Sequence, residues 1–254
     1  MLPNLHWSTI PLSLINIQVW GLFVALGILA AALVAKRSAA QWKISGETMI
    51  DLTFWVVLAA FIGSRLFYVI TEWQYFTSNF VEIFKIWDGG MSISGGFLGA
   101  IITAVIYLRK KKLPFWPYAD LAAFVLPLGL AIGRLGCFFI FDHPGSVTNF
   151  FLGEVYYGDG LVRHNHGLYL AISGAGLFGV FTLIKHFCRD ALQCVSTKTK
   201  PPFFVGLFLI WDGLVRVMLD FDRILDSRWF GLTAAQYIGV VSVLCGFYLT
   251  FRKK

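Results

Sequence analysis

The sequence predicts an all-α, polytopic membrane protein with seven transmembrane helices, its N-terminus extracytoplasmic and its C-terminus cytoplasmic. Three observations carry that prediction. The 254 residues are 57% hydrophobic and only 14% charged, against about 25% charged in an average soluble domain. Apolar runs of roughly 20 residues, the length that crosses a bilayer core as helix, recur seven times along the chain. The net charge of +7 is gathered in short clusters between those runs, a pattern of membrane topology rather than of nucleic-acid binding.

The spans fall at about 16–35, 49–71, 91–108, 116–141, 167–187, 202–220 and 232–251, and form one integral membrane domain over 1–254. Fourteen basic residues lie on one side: Lys36, Arg37 and Lys43 after the first span, Arg109 to Lys112 after the third, Lys185, Arg189, Lys198 and Lys200 after the fifth, and Arg252 to Lys254 at the end. Four lie on the other: Lys85, Arg163, Arg223 and Arg228. By the positive-inside rule the larger group is cytoplasmic. The start, MLPNLHWSTI, has no positive n-region, so the first span is expected to act as its own insertion signal.

The four cysteines, Cys137, Cys188, Cys194 and Cys245, form no CxxC pair and suggest neither a disulfide framework nor a zinc knuckle. The longest extracytoplasmic loops, about 72–90 and 142–166, hold Gly, Asp, His and aromatics, a composition suited to a folded cap near the headgroups. Small residues at helical spacing, Gly129/Gly133 and Gly95/Gly99, permit close helix contact.

Three arginines lie inside spans: Arg65 in FIGSRLFYVI, Arg134 in GLAIGRLGCFF and Arg216 in WDGLVRVMLD. At 1.5 Å per residue, Arg134 is about 10 Å below its outer helix end and the other two about 8 Å below theirs. Charges at such depth face a bundle interior or a cavity, or snorkel to the headgroups. Asp212, Arg216 and Asp220 share one helix face at i, i+4, i+8, the spacing of an ion-pair ladder.

Polar residues collect at the same depth. Asp142 and His143 end the fourth span, Arg163, His164 and His166 precede the fifth, and Ser92 and Ser94 open the third in WDGGMSISGG. The glycines of Asp88-Gly89-Gly90 and Gly95-Gly96 could turn backbone N–H groups toward an anion. Arginine forks beside a carboxylate and imidazoles suit an anionic lipid headgroup. A metal held by Asp142 and the three histidines is the other reading, but His-x-His without a third ligand at fixed spacing assigns none.

These residues resemble those of the bacterial prolipoprotein diacylglyceryl transferase family over nearly the whole chain. The motifs run in order: VWGLFVALG, FIGSRLFYV, WDGGMSISGG, GLAIGRLGCFF, RHNHGLY, GLVRVMLDF and GLTAAQYIG. The family transfers a diacylglyceryl group from phosphatidylglycerol to the thiol of a lipobox cysteine, releasing glycerol 1-phosphate. The resemblance therefore implies phosphatidylglycerol and prolipoprotein lipobox segments as partners within membrane lipid, and no cofactor, metal or nucleic acid. It also implies residence in the bacterial inner membrane with an outward-facing site.

Position by position, Arg134 and Arg216 match family arginines, Gly145 matches a family glycine, and Asp142 and Asp220 stand where the family has glutamates. Cys137 replaces a family Asn, Trp20 a Tyr, Ser94 a His and Leu170 a Glu. On this likeness Arg134, Arg216 and Gly145 are expected to hold the lipid phosphate, and Arg65, at a similar depth on the same side, could complete a basic belt with the two arginines. Asp142, Arg216 and Asp220 are expected to form the catalytic group, joined by His143, which stands where the family has an apolar residue, with Ser94, Cys137, Arg163, His164 and His166 as further candidates. His143, His164 or His166 could supply a base for the incoming thiol. Two other functions stay open from sequence alone. One is a divergent relative that binds anionic phospholipid or serves another acceptor; the other is a small-molecule transporter.

Overall fold

The computed structural model describes residues 2–3, 5–12, 15–85, 89–187, 202–224 and 228–251. Among the described residues, seven helices of 18 residues or more appear where the apolar runs predict them: α1 (Val19–Ser38), α2 (Gly46–Thr71), α4 (Ile93–Lys110), α5 (Phe115–Ile140), α6 (His166–Phe187), α7 (Phe203–Asp220) and α8 (Ala234–Phe251). A short helix, α3 (Trp73–Thr77), follows α2. Among the described residues, six of the seven are long and apolar enough to cross a membrane. The exception is α7, whose 18 residues include Asp212, Arg216 and Asp220. Cys188, Cys194, Asp88 and several basic residues of the expected cytoplasmic group lie outside the described residues.

The chain runs up and down, and its apolar side chains face outward as well as inward. Leu29, Phe54, Ile62, Ile101, Leu183 and Leu244 are all more than half exposed. A helix with apolar residues all round has hydrocarbon, not water, as its solvent. The buried core gathers at the end where α1 finishes and α5 starts, around Trp42, Tyr118, Leu121, Phe124, Phe181 and Phe204. Buried Asp120 ties this end together, accepting from Val205 N at 3.1 Å and from Trp42 Nε1 at 3.4 Å. It thereby satisfies one of the free N–H groups at the start of α7.

Glycine sets how closely the helices approach. A Cβ on Gly27 of α1 would meet the Gly129 carbonyl of α5, and a Cβ on Gly95 of α4 would meet the Gly63 carbonyl of α2. The expected contact faces at Gly129/Gly133 and Gly95/Gly99 thus bring α1 onto α5 and α2 onto α4.

The other end carries small strands that the helical reading does not include. β1 (Thr9–Leu12) and β2 (Ile15–Gln18) form a hairpin ahead of α1, and β6 (Arg228–Trp229) and β7 (Leu232–Thr233) form another ahead of α8. The loop at 142–166 folds as a cap. β3 (Pro144–Val147), β5 (Val162–Asn165) and β4 (Glu154–Val155) pair antiparallel in the order β3-β5-β4. Fully buried Glu154 pins the cap, accepting from Leu5 N at 3.0 Å and Asn165 Nδ2 at 2.7 Å. Asn165 Oδ1 in turn accepts from Gly167 N and Leu168 N at the start of α6. These bonds fix the N-terminal segment, the end of α5 and the start of α6 as one unit.

Candidate functional site

A groove of about 650 Å³ opens between α1, α2, α4 and α5. Its wall is mostly apolar or small, with Val24, Ile28, Ala31, Phe61, Leu126 and Gly129 along it. At the capped end the lining turns polar: Arg134, Cys137, Asp142 and His143. Arg134 and Cys137 stand one helical turn apart on α5, with Arg134 Nη1 3.8 Å from the Cys137 sulfur. α5 then ends at Phe141, whose left-handed φ of 47° turns the chain so that Asp142 and His143 reach the same groove. His143 Nε2 lies 3.5 Å from Asp142 Oδ2.

Arg134 also borders a second, narrow slot between α5, α6 and α7, lined by Leu170, Ser173, Trp211, Asp212 and Arg216. There Arg216 Nε donates to Asp212 Oδ2 at 2.7 Å. Trp211 Nε1 bridges α7 to α6 by donating to Ser173 Oγ at 3.0 Å. Two arginines thus border one slot, and Arg134 alone among them also borders the groove.

Other sequence candidates take different places. Arg65 lies apart from the groove, its guanidinium taken up by backbone carbonyls. Its guanidinium donates to the carbonyls of Ile83 (2.9 Å), Gly89 (2.6 Å), Gly90 (2.8 Å), Lys85 (3.3 Å) and Glu82, and lies over Tyr68 and Phe76. A guanidinium has five N–H donors, and folding the segment back over α2 uses them. The glycine segment correspondingly offers carbonyls to Arg65 rather than N–H groups to an anion. Gly145 does not line the groove either. It is packed among His164, His166 and Asp222, and its carbonyl accepts from Arg163 at 3.1 Å.

The expected ladder on α7 forms only in its first half. Asp220 turns away from Arg216 to Arg223 Nη1 (3.4 Å) and Thr233 Oγ1 (2.7 Å). Thr233 and Gln236 cap α8 reciprocally, with Thr233 N to Gln236 Oε1 at 2.9 Å and Gln236 N to Thr233 Oγ1 at 3.2 Å. Threonine at the N-cap with glutamine three residues on is a capping box, so Asp220 is buried in the joint between α7 and α8.

Arg163 braces the cap through Asp159, at 2.8 and 2.6 Å. His164 Nδ1 pairs with Tyr169 Oη at 2.6 Å, while buried His166 contacts the His143 carbonyl at 3.2 Å and faces Asp222 at 3.6 Å. Ser94 is exposed and lies off the groove, whose wall carries Ser64 and Ser92 instead. Trp20 lines the groove and Leu170 the slot. Sequence reasoning missed Arg223, which joins His143 to Asp220; its only signal is a position three residues after that aspartate.

Comparison with known proteins places the chain in a family. The sequence profile described as prolipoprotein diacylglyceryl transferase matches residues 8–252. Three curated relatives carry the name phosphatidylglycerol–prolipoprotein diacylglyceryl transferase. The protein of Listeria monocytogenes is 36% identical, covering 91% of this chain and 83% of its own. That of Bacillus mycoides is 32% identical over 99% of this chain and 94% of its own. The one from Geobacillus kaustophilus is 32% identical over 91% of this chain and 86% of its own. The chain belongs to the prolipoprotein diacylglyceryl transferase family.

Proposed function

We propose that this protein transfers the diacylglyceryl group of phosphatidylglycerol to the lipobox cysteine of prolipoproteins, releasing glycerol 1-phosphate. One observation carries the reading: an apolar groove among lipid-facing helices ends in an arginine, a carboxylate and an imidazole. That is the shape of a phospholipid, with tails along the wall and phosphate at Arg134. A carrier reading finds no comparable support, since the charged groups gather at one end of the bundle instead of the middle.

The chemistry follows from the charge that develops. The thiolate sulfur attacks the glyceryl CH₂ carbon, the C–O bond to phosphate breaks, and the phosphodiester monoanion leaves as a monoester dianion. Arg134 and, across the slot, Arg216 stabilise that added charge, more strongly because the apolar wall excludes water. Asp212 holds the Arg216 guanidinium in place.

The membrane arrangement completes the proposal. A single domain of seven spans sits in the bacterial inner membrane, N-terminus out and C-terminus in, with α7 crossing beside α8. The charges of α7 then face slot and helix joint rather than lipid. The site opens toward the extracytoplasmic face. Purified protein given phosphatidylglycerol and a lipobox peptide tests this. Release of glycerol phosphate that requires the peptide cysteine supports the transferase. Saturable lipid binding without release supports a lipid-binding relative instead.

A further inference from the structure

His143 has both ring nitrogens engaged. Nδ1 lies 3.2 Å from Arg223 Nη2, and Nε2 faces Asp142 Oδ2 at 3.5 Å. A guanidinium offers only donors and keeps its charge at any working pH, so the ring nitrogen facing it must present a lone pair. The proton of the neutral imidazole is then on Nε2, directed at the Asp142 carboxylate.

The surroundings hold this orientation from three elements. The His143 carbonyl takes a bond from His166 Nδ1 at the start of α6. Gly145 pairs with Arg223 in an antiparallel bridge, so the chain after Asp142 and the chain after α7 move together. Arg223 is tied to Asp220 at 3.4 Å, and Asp222 faces His166 on one side and Ser146 on the other.

We propose that His143 is a positioning residue, which orients Asp142 toward the groove and leaves that carboxylate to accept the proton of the incoming thiol. The inference rests on the transferase reading above. The imidazole has no free lone pair for the proton, because Arg223 occupies it. Asp142 is the one carboxylate among the described residues lining the groove. In the step itself the S–H bond breaks and its proton passes to an Asp142 oxygen. The sulfur pair forms the S–C bond, and the C–O electrons leave with glycerol phosphate. Asp142 afterwards returns its proton to water.

The test uses the full chain in phosphatidylglycerol-containing vesicles with a lipobox peptide, following glycerol phosphate release from pH 5.5 to 8. Glutamine can accept from Arg223 and donate to Asp142, but it cannot take up a proton at these pH values. His143→Gln is expected to recover most of the activity lost in His143→Ala and to keep the wild-type pH profile. His143→Ala is expected to lose at least tenfold in kcat with KM for the lipid unchanged. Asp142→Asn should lose at least a hundredfold, and Asp142→Glu should regain a measurable share. Thermal melting of each variant separates misfolding from chemistry, and the Gln-against-wild-type comparison stands even if the Ala variant unfolds. An active wild type with a His143→Gln as inactive as His143→Ala overturns the proposal, as does an active Asp142→Asn. A wild type that releases nothing overturns the transferase reading instead, and this proposal with it.

Discussion

Arg134 and Cys137 face the same groove from successive turns of α5, the guanidinium 3.8 Å from the sulfur. The thiol is a weak acceptor, so it leaves the guanidinium free to grip a phosphate while reporting on whatever fills the groove. With Cys188, Cys194 and Cys245 changed to serine, a maleimide should label Cys137 slowly. Excess phosphatidylglycerol should slow it further by at least fivefold, read by mass spectrometry. A rate indifferent to the lipid would place the headgroup elsewhere.

Arg65 holds a loop, and its loss should read as instability. Arg65→Ala leaves several carbonyls of the 82–90 segment without their donor, a cost of about 3 kcal/mol. The expected outcome is a lower melting temperature in detergent that Arg65→Lys does not restore, since an ammonium cannot span the same carbonyls. Unchanged melting with weakened lipid binding would return Arg65 to the phosphate.

Glu154 makes a related prediction for the cap. It is fully buried and anchors the N-terminal segment to β5. Glu154→Ala should cost about 2 kcal/mol and raise hydrogen exchange in β3, β5 and the first turn of α6 together. Exchange that rises in the N-terminal segment alone would contradict the coupling.

The cap also has an acid limit. Hydrogen bonds from Arg163 hold the Asp159 carboxyl below its ordinary value of 3.8. A depressed carboxyl stabilises the fold above its unfolded value and loses that contribution as pH falls through the folded one. Protection of the β5 amides, with exchange taken relative to its intrinsic pH-dependent rate, should therefore be level from pH 5 to 8 and fall only below about 3.8. Asp159→Asn should abolish that acid step.

The long helices were legible because length and apolarity suffice to place a span, and all but the short α3 fall within a few residues of the expected segments. The strands were not, since runs of two to four residues such as Glu154–Val155 carry no alternation to read. In the site, the grouping of Arg134, Cys137, Asp142 and His143 was visible because helical spacing and a helix end impose it. Arg65 and Gly145 lie away from the groove, and the sequence did not show it for a common reason. Depth in the membrane says nothing of which way a guanidinium bends, or of what packs around a glycine. Gln236 illustrates a signal present but unread: Thr233-Ala-Ala-Gln236 is a capping box in plain sequence, and it explains why Asp220 belongs to a helix joint.

The central claim is that Arg134, at the polar end of the groove, stabilises the departing phosphate. Glycerol phosphate release by Arg134→Ala, measured against wild type with saturating lipobox peptide, tests it most directly. At least a hundredfold loss of kcat/KM with a melting temperature close to wild type is the predicted result. Activity within twofold of wild type would contradict it.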